Sequence, residues 1–182
     1  MNERHYTAYS QPKSSIRAQV IGGSKRRGLN PVRFVFSKFL NYILAMMAYN
    51  CPFNSWRVNF HRWRGVKIGK DVTIGFHVTL DYSYPSYITI EDNVTLSGEN
   101  YVLTHSIPKN HWKNILPAYV SQVIIKEGSW ITLGVKILPG VTVGSYSVIS
   151  AWSVVNTDIP SNVIAGGVPA KIIKKIDLVD RA

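Results

Sequence analysis

The chain of 182 residues has little cysteine and few acidic residues. Both shortages limit the compartments and the binding partners that this protein can have. The single cysteine, Cys51, excludes an intramolecular disulfide, which fits a reducing compartment and predicts a cytoplasmic protein. Ten Asp and Glu oppose 21 Lys and Arg, so the formal net charge is +11. Such an excess suits nucleic acids, anionic membranes or acidic small molecules. Because the sequence carries no RNA-binding or helix-turn-helix signature, nucleic-acid binding is not expected.

Long apolar runs and nucleotide-binding motifs are missing as well. The most apolar segment, residues 31–49 (PVRFVFSKFLNYILAMMAY), is interrupted by Ser37, Lys38 and Asn41. A membrane span needs about twenty mostly apolar residues, so this segment is not expected to cross a bilayer. The sequence shows no apolar run followed by a small-residue cleavage site, so a secretory signal is not expected. The absence of GxGxxG and Walker motifs argues against a nucleotide-binding domain.

The sequence does contain a six-residue repeat. Aliphatic residues, which we call anchors, recur every six positions in blocks of three, three and six. The anchors are Ile68, Ile74 and Leu80; Ile90, Leu96 and Val102; and Ile125, Ile131, Ile137, Val143, Ile149 and Val155. A period of six fits neither an amphipathic helix nor an alternating strand. Each hexad predicts a short strand with its anchor pointing inward and then a tight turn, and only stacked coils bury that side.

Three hexads per coil give a triangular prism, so the twelve hexads predict about four coils over residues 65–158. The spacing breaks twice. Residues 82–87 must bulge from one corner, and residues 106–122 form a longer excursion. Excursions from a rigid scaffold are where binding residues collect, so we expect substrate contacts in the longer one.

The remaining chain divides into three parts. Residues 1–30 are polar and basic and predict a flexible arm, while residues 159–182 predict a C-terminal turn and tail. Residues 31–64 predict a helix and a cap, with Pro31 in the first helical turn. The helix has one apolar face and the cap three aromatic residues. These are Phe36, Phe39, Leu40, Ile43, Met46 and Met47 on the helix, and Trp56, Phe60 and Trp63 in the cap. The favoured interpretation is docking on the protein or a partner subunit; peripheral membrane contact through residues 31–49, helped by nearby arginines, is the alternative.

The hexads and the tail GGVPAKIIKKI, residues 166–176, resemble the hexapeptide-repeat acyltransferases. The resemblance covers roughly residues 65–176 and is strongest to sugar O-acetyltransferases, such as those acting on maltose, galactosides, capsule or colanic acid. It implies an all-β fold, a left-handed parallel β-helix with an N-terminal helical appendage. The left hand comes from the family, because parallel crossovers are generally right-handed. The resemblance also implies a homotrimer with each active site between two prisms.

The same resemblance implies an acetyl-CoA-dependent O-acetyltransferase acting on a cell-surface saccharide or its precursor, with no metal. Such a reaction needs a neutral imidazole to take the proton of the attacking hydroxyl and a donor for the tetrahedral oxyanion. No covalent intermediate is required, so the absence of a nucleophile motif is no objection. His105 in VLTHS, at the end of the second block, matches the position of the family's general base.

On the acceptor side, the resemblance points to three residues. His77 stands where relatives carry Asn, and Asp81 stands near an acidic residue that contacts sugar hydroxyls. A turn-capping role for Asp81 is the alternative. Trp112, beside His111 in the excursion, offers a flat face to a sugar ring. Glu99 is a candidate to orient the general base.

On the donor side, Gly167 and Lys171 of the tail match the family's CoA-side turn, and the resemblance implies that Lys171 and Lys174 pair with CoA phosphates. Thr132, Leu133 and Ala151 lie in turns that border the same groove in relatives. These turns carry bulkier residues than the family pattern, including Trp152, which leaves open a different acyl donor.

Several alternatives remain at this point. Within acyl transfer they are N-acetylation of an amino sugar, and acetylation of an antibiotic or of serine. A γ-type carbonic anhydrase has the same fold and binds zinc through three histidines, for which His77, His105 and His111 are available. The VPAK sequence of the tail argues against that enzyme. A binding module without catalysis is the last alternative.

Overall fold

The structure is a computed structural model that describes residues 7–8, 16–26, 28, 30–109, 112 and 115–177. Its helices are α1 (Ile16–Arg26), α2 (Pro31–Asn50), α3 (Asn54–Trp63) and a short 3-10 helix, Pro85–Tyr87. The strands before the excursion are β1 (Thr7–Ala8), β2 (Lys67–Ile68), β3 (Thr73–Ile74), β4 (Thr79–Leu80), β5 (Ile88–Ile90), β6 (Thr95–Leu96) and β7 (Tyr101–Val102). The later strands are β8 (His105–Ser106), β9 (Tyr119–Val120), β10 (Val123–Ile125), β11 (Trp130–Ile131), β12 (Lys136–Ile137), β13 (Thr142–Val143), β14 (Val148–Ile149), β15 (Val154–Val155), β16 (Val163–Gly167) and β17 (Ala170–Lys175).

The hexads fold into three parallel sheets that the chain visits in turn. The first sheet orders β2, β5, β10 and β13, and the third orders β4, β7, β12 and β15. The second sheet orders β3, β6, β11, β14 and β16, with β17 antiparallel at its edge. The register pairs anchor with anchor, for example Leu80 with Val102 and Val102 with Ile137. Because each strand lies on its counterpart from the previous coil, the anchors form three columns inside the prism.

These columns are the hydrophobic core. Every anchor except Ile68 is at most 1% exposed, and Ile68 packs against the core from its edge. The small residues four positions after an anchor are buried too. The serines among them donate their hydroxyl hydrogens to backbone carbonyls. Ser129, for example, donates to the carbonyls of Lys126 and Gly144. The predicted inward-pointing anchors are therefore confirmed.

The turns between sheets share one backbone feature. The third residue after an anchor has a positive φ, between 51° and 83°, in nine turns. These residues are Asp71, His77, Asn93, Glu99, Gly128, Gly134, Gly140, Tyr146 and Trp152. Left-handed backbone costs an L-residue about 1–2 kcal/mol. Gly134 is also required by packing, since a Cβ there would stand 2.6 Å from the ring of Trp152 in the next coil.

The predicted helix over residues 31–49 is confirmed as α2, with Asn30 as N-cap accepting from the Arg33 amide and Pro31 in the first turn. Its apolar face, however, points away from the β-helix, with Phe36 65% and Phe39 61% exposed. Docking of this face on its own chain was therefore a wrong expectation. Ala45 and Ala48 are the buried residues of α2, because small side chains let the helix approach the coils closely.

Helix α3 closes the N-terminal end of the prism. The Asn54 amide donates to the Val72 carbonyl and accepts from the Ile74 amide, and Arg57 donates to the Ile74 carbonyl. These contacts satisfy backbone groups at the open edge of the first coil. Phe60 is buried as predicted for the cap, whereas Trp56 and Trp63 are 50% and 62% exposed, so the aromatic cap is only partly as expected.

Two further elements were not expected from the sequence. Helix α1 lies within the segment predicted as a flexible arm and packs on α2, where Gly23 meets the ring of Phe34. In the excursion, β8 and β9 pair antiparallel, and β1 joins β9. Neither element follows the hexad pattern. Each is stabilised by contacts with distant segments, which a local sequence pattern does not show. Within the described residues, no helix combines the length and apolarity needed to traverse a bilayer.

Candidate active site

Two corners of the prism carry the predicted site residues. The first is where the chain leaves the third sheet, after Leu80 in one coil and after Val102 in the next. Since these two anchors are paired, the residues that follow them come together. We call this group, Asp81, Tyr84, Thr104 and His105, the histidine corner.

The Asp81 carboxylate is the centre of the histidine corner. Its Oδ1 accepts from the backbone amides of Ser83 (2.7 Å) and Tyr84 (3.1 Å). Its Oδ2 accepts from the amide (2.9 Å) and hydroxyl (2.7 Å) of Thr104 and lies 2.6 Å from His105 Nδ1. Burial alone raises the pKa of Asp81, but the hydrogen bonds from His105 and Thr104 outweigh it and hold the pKa well below its ordinary value. The carboxylate is therefore ionised at neutral pH.

His105 is oriented by this carboxylate. An ionised Asp81 only accepts, so Nδ1 of the neutral imidazole carries the hydrogen and Nε2 keeps its lone pair. The side chain is 28% exposed, and the Tyr84 ring packs edge-on against it at 5.5 Å. The arrangement is that of an oriented base: a fixed tautomer, an acceptor nitrogen that no described residue hydrogen-bonds, and a buried negative charge behind it.

The structure therefore places Asp81 differently from the sequence prediction. Its carboxylate is buried, with both oxygens occupied, and performs the turn-capping role together with a contact to His105. Glu99, the suggested orienting residue, is an exposed turn residue at another corner. No signal in the sequence favours Asp81 over Glu99 as the partner of His105, because both follow the hexad pattern.

The second corner lies between the second and third sheets, and we call it the turn corner. Its turns stack through backbone hydrogen bonds, from Glu99 to Phe76, from Gly134 to Gly98 and from Trp152 to Leu133. Four predicted donor-side residues and one acceptor-side residue share this corner. They are Thr132, Leu133, Ala151, Gly167 and His77.

The tail completes the turn corner. The Gly167 amide donates to Ser153 Oγ (3.0 Å), and β17 folds back so that Lys171 pairs with Gly166 and Lys174 with Ile164. Both lysines are exposed. The predicted donor-side residues thus lie along one corner of the prism, exposed except for the partly buried Thr132, with two cationic groups at its end.

Within one chain, the strands of the third sheet separate the two corners. His77 and the donor-side residues lie at the corner where these strands begin, whereas Asp81 and His105 lie at the corner where they end. Trp112 lies in the excursion, 44% exposed, and His111 lies outside the described residues. The structure therefore joins Asp81 with His105 but does not join His77 with them in a single chain.

Arg64 is a buried residue at the histidine corner that the sequence did not indicate. Its guanidinium donates to the carbonyls of Leu80 (2.9 Å) and Asp81 (2.8 Å), to Asn41 Oδ1 (2.8 Å) and to His61 Nδ1 (2.9 Å). Burial lowers the pKa of Arg64 to about 10, so it stays cationic. Burial, with the Arg64 charge, lowers the pKa of His61 to about 3, so that imidazole is neutral. Arg64 thereby connects α2, through Asn41, and α3, through His61, to the end of β4, which positions Asp81.

Comparison with known proteins adds the following. No protein-family model matches the chain. It is 36% identical over 135 residues to a galactoside O-acetyltransferase of Escherichia coli K12, covering 70% of this chain and 64% of that protein's length. It is 30% identical over 136 residues to WcaF of the same strain, a candidate colanic acid biosynthesis acetyltransferase, covering 66% of this chain and 75% of WcaF. The solved galactoside acetyltransferase in complex with coenzyme A superposes with a TM-score of 0.59 at 25% identity, covering 78% of this chain and 81% of that one.

Proposed function

The chain belongs to the hexapeptide-repeat acetyltransferases, and from that membership we propose that it transfers acetyl from acetyl-CoA to a saccharide hydroxyl. The observation that carries the proposal is the Asp81–His105 pair, a buried ionised carboxylate 2.6 Å from a partly exposed imidazole. An alcohol is a poor nucleophile until its proton is removed, and this pair provides an oriented acceptor for that proton.

In the proposed reaction, His105 Nε2 takes the proton of the acceptor hydroxyl as its oxygen attacks the thioester carbonyl. The new C–O bond forms, and the resulting imidazolium is stabilised by the Asp81 charge. As the tetrahedral intermediate collapses, the C–S bond breaks and the imidazolium returns the proton to the CoA sulfur. Every proton and electron pair is then accounted for without a metal or a covalent enzyme intermediate.

We assign the CoA site to the turn corner and tail. Exposed Leu133 and Ala151 offer an apolar edge for the pantetheine arm, and Lys171 and Lys174 supply charges for phosphates. A solved relative that binds coenzyme A on the same fold supports this assignment. Since the turn corner and His105 are apart in one chain, we infer that the site is completed between neighbouring subunits of a homotrimer of left-handed β-helices.

The acceptor is proposed from the relatives. A galactoside O-acetyltransferase and a candidate colanic acid enzyme both favour a saccharide, either a cell-surface polysaccharide or its precursor. His77 and Trp112 remain our proposed acceptor contacts. Asp81 is assigned to the orientation of His105, because its oxygens are already bonded.

The test is a panel of saccharide acceptors with acetyl-CoA, in which released free thiol is measured. His105→Ala is expected to lower turnover about 100- to 10,000-fold while CoA affinity stays near normal, since general-base catalysis contributes that much. His77→Ala serves as comparison and should mainly raise the acceptor KM. Retention of more than about a tenth of native turnover by His105→Ala would remove His105 as the base.

A further inference from the structure

Helix α2 presents its apolar side to the outside. Eight apolar side chains along one side are between 38% and 77% exposed, and we call them the α2 stripe. The stripe consists of Val32, Val35, Phe36, Phe39, Leu40, Ile43, Met46 and Met47. A helix of a soluble globular domain normally buries such a side, and contiguous exposed apolar surface of this kind marks an interaction site.

Two polar residues of α2, Lys38 and Asn41, face the β-helix instead. Lys38 Nζ donates to the Ser83 carbonyl (3.1 Å), and Asn41 donates to the Tyr82 carbonyl and accepts from Arg64. These contacts fix the rotation of the helix about its own axis. The outward position of the α2 stripe is therefore set by specific hydrogen bonds.

An apolar groove continues the stripe toward α1. It has a volume of about 510 Å³. Its lining residues are Val20, Pro31, Val32, Val35, Phe36 and Phe39. A groove lined by apolar side chains and open to the surface suits a hydrocarbon chain.

The sequence on both sides of the stripe carries charge of one sign. Between Glu3 and Asp71 the chain contains no acidic residue and thirteen basic ones. The basic residues are Arg4, Lys13, Arg17, Lys25, Arg26, Arg27, Arg33, Lys38, Arg57, Arg62, Arg64, Lys67 and Lys70. Lys25 and Arg33, near the N-terminal end of α2, are exposed. An apolar helix face beside unbalanced positive charge is complementary to an anionic lipid surface.

We propose that the α2 stripe lies in the interface of an anionic lipid bilayer and holds the protein on the membrane surface. Lipid is favoured over a second copy of this chain because a copy would bring the same acid-free, basic segment against the stripe. Exposed Trp56 and Trp63 on α3, which packs on α2, are residue types that prefer the bilayer interface. The inference does not depend on the proposed acetyl transfer.

The experiment is co-sedimentation of the full chain with vesicles of phosphatidylcholine alone or mixed equally with phosphatidylglycerol. The protein should sediment with the mixed vesicles, more weakly with phosphatidylcholine alone, and less as salt rises. Phe36→Asp combined with Phe39→Asp should weaken binding at least about tenfold, since two large apolar side chains are lost from the interface. Ile115→Asp is the matched control, because Ile115 is 69% exposed but lies in the excursion, and it should bind like the native protein.

Light scattering without lipid distinguishes a lipid bilayer from a second copy of the chain as the binding partner of the α2 stripe. If the native protein binds mixed vesicles, and the double variant loses that binding at unchanged molecular mass and melting temperature, the proposal stands. If the native protein ignores vesicles and the double variant dissociates, a second copy covers the stripe and the proposal is overturned. Equal binding of native and double-variant protein also overturns it. Should the double variant melt early, Phe39→Ala alone should weaken vesicle binding in the same direction.

Discussion

At the residue scale, the histidine corner depends on a carboxylate that has no access to solvent. Asp81 accepts four hydrogen bonds besides its contact with His105, so its charge is stabilised without water. The same bonds prevent it from moving away from the imidazole. An ionised carboxylate behind a histidine both selects the tautomer and stabilises the imidazolium formed in the proposed reaction.

Asp81→Asn tests this arrangement. The amide keeps the size of the side chain but lacks the charge and presents an N–H to one neighbour, so we expect turnover to fall on the order of 100- to 10,000-fold. CoA affinity, measured by calorimetry, should change little because the turn corner is untouched. Asp71→Asn, at an exposed turn of the first coil, is the control and should keep native turnover. Native turnover in Asp81→Asn would mean that the carboxylate has only a turn-capping role.

His61 predicts a pH-dependent stability. Its pKa is about 3 in the folded protein and about 6.5 when unfolded. Between these values the unfolded chain binds a proton that the folded protein does not, so stability falls as the pH drops from about 6.5 toward about 3. The slope from this group approaches about 1.4 kcal/mol per pH unit.

Urea unfolding of the native protein and His61→Gln at pH 7 and pH 5 measures this effect. The native protein should lose about 2 kcal/mol more than the variant over that interval. Gln keeps an acceptor for Arg64 but does not titrate. His77→Gln is the control, since His77 is exposed, and it should keep the native slope. Identical pH dependence in His61→Gln would show that His61 does not cause the loss.

At the element scale, the repeated turn decides which residues the corners tolerate. A positive φ recurs three residues after an anchor because each turn stacks on the one before it. Aromatic residues occupy this position in the fourth coil, where their rings cover glycines of the third. The rings of Tyr146 and Trp152 therefore require Gly128 and Gly134 beneath them.

Gly134→Ala should destabilise the protein by about 1–2 kcal/mol through its φ of 72°, and further through the clash with Trp152. Chemical denaturation measures the change. In a Trp152→Ala background the clash is absent, so Gly134→Ala should then cost less, and the difference isolates the packing contribution. Equal costs in both backgrounds would show that the Trp152 ring does not restrict this position.

At the scale of the whole molecule, the separation of the two corners predicts a shared site. His105→Ala and Lys171→Glu should each have strongly lowered activity alone, because one lacks the base and the other repels CoA phosphates. Co-expressed, they should regain activity, since a native histidine corner then meets a native turn corner of a neighbour. Light scattering should give about three chain masses.

The control for this complementation is His105→Ala co-expressed with Asp81→Asn. Both changes affect the histidine corner, so mixing restores no complete site and activity should stay low. Absence of recovery in the first pair despite a trimer would place the whole site within one chain. Recovery in this control would show that Asp81 and His105 do not act from the same corner.

Much of the scaffold followed from the sequence alone. Burial of one aliphatic residue in six is a local, repeated requirement, so the anchors from Ile68 to Val155 predicted the columns of the core before any contact was known. Helix α2 was predicted for the same reason, from spacing and from Pro31 at its start. The family resemblance pointed to His105 and to the tail at Lys171, and their roles stay predictions.

Only the tertiary structure decided how these parts face one another. Asp81 and His105 are 24 residues apart and meet because Leu80 pairs with Val102 in adjacent coils, which no local pattern expresses. The rotation of α2 is set by hydrogen bonds from Asn41 and Lys38 to the chain near Tyr82, so its apolar side turned outward against the expectation. A sequence pattern states which side chains share a face; the contacts of distant segments determine whether that face meets the core, a neighbour or a membrane.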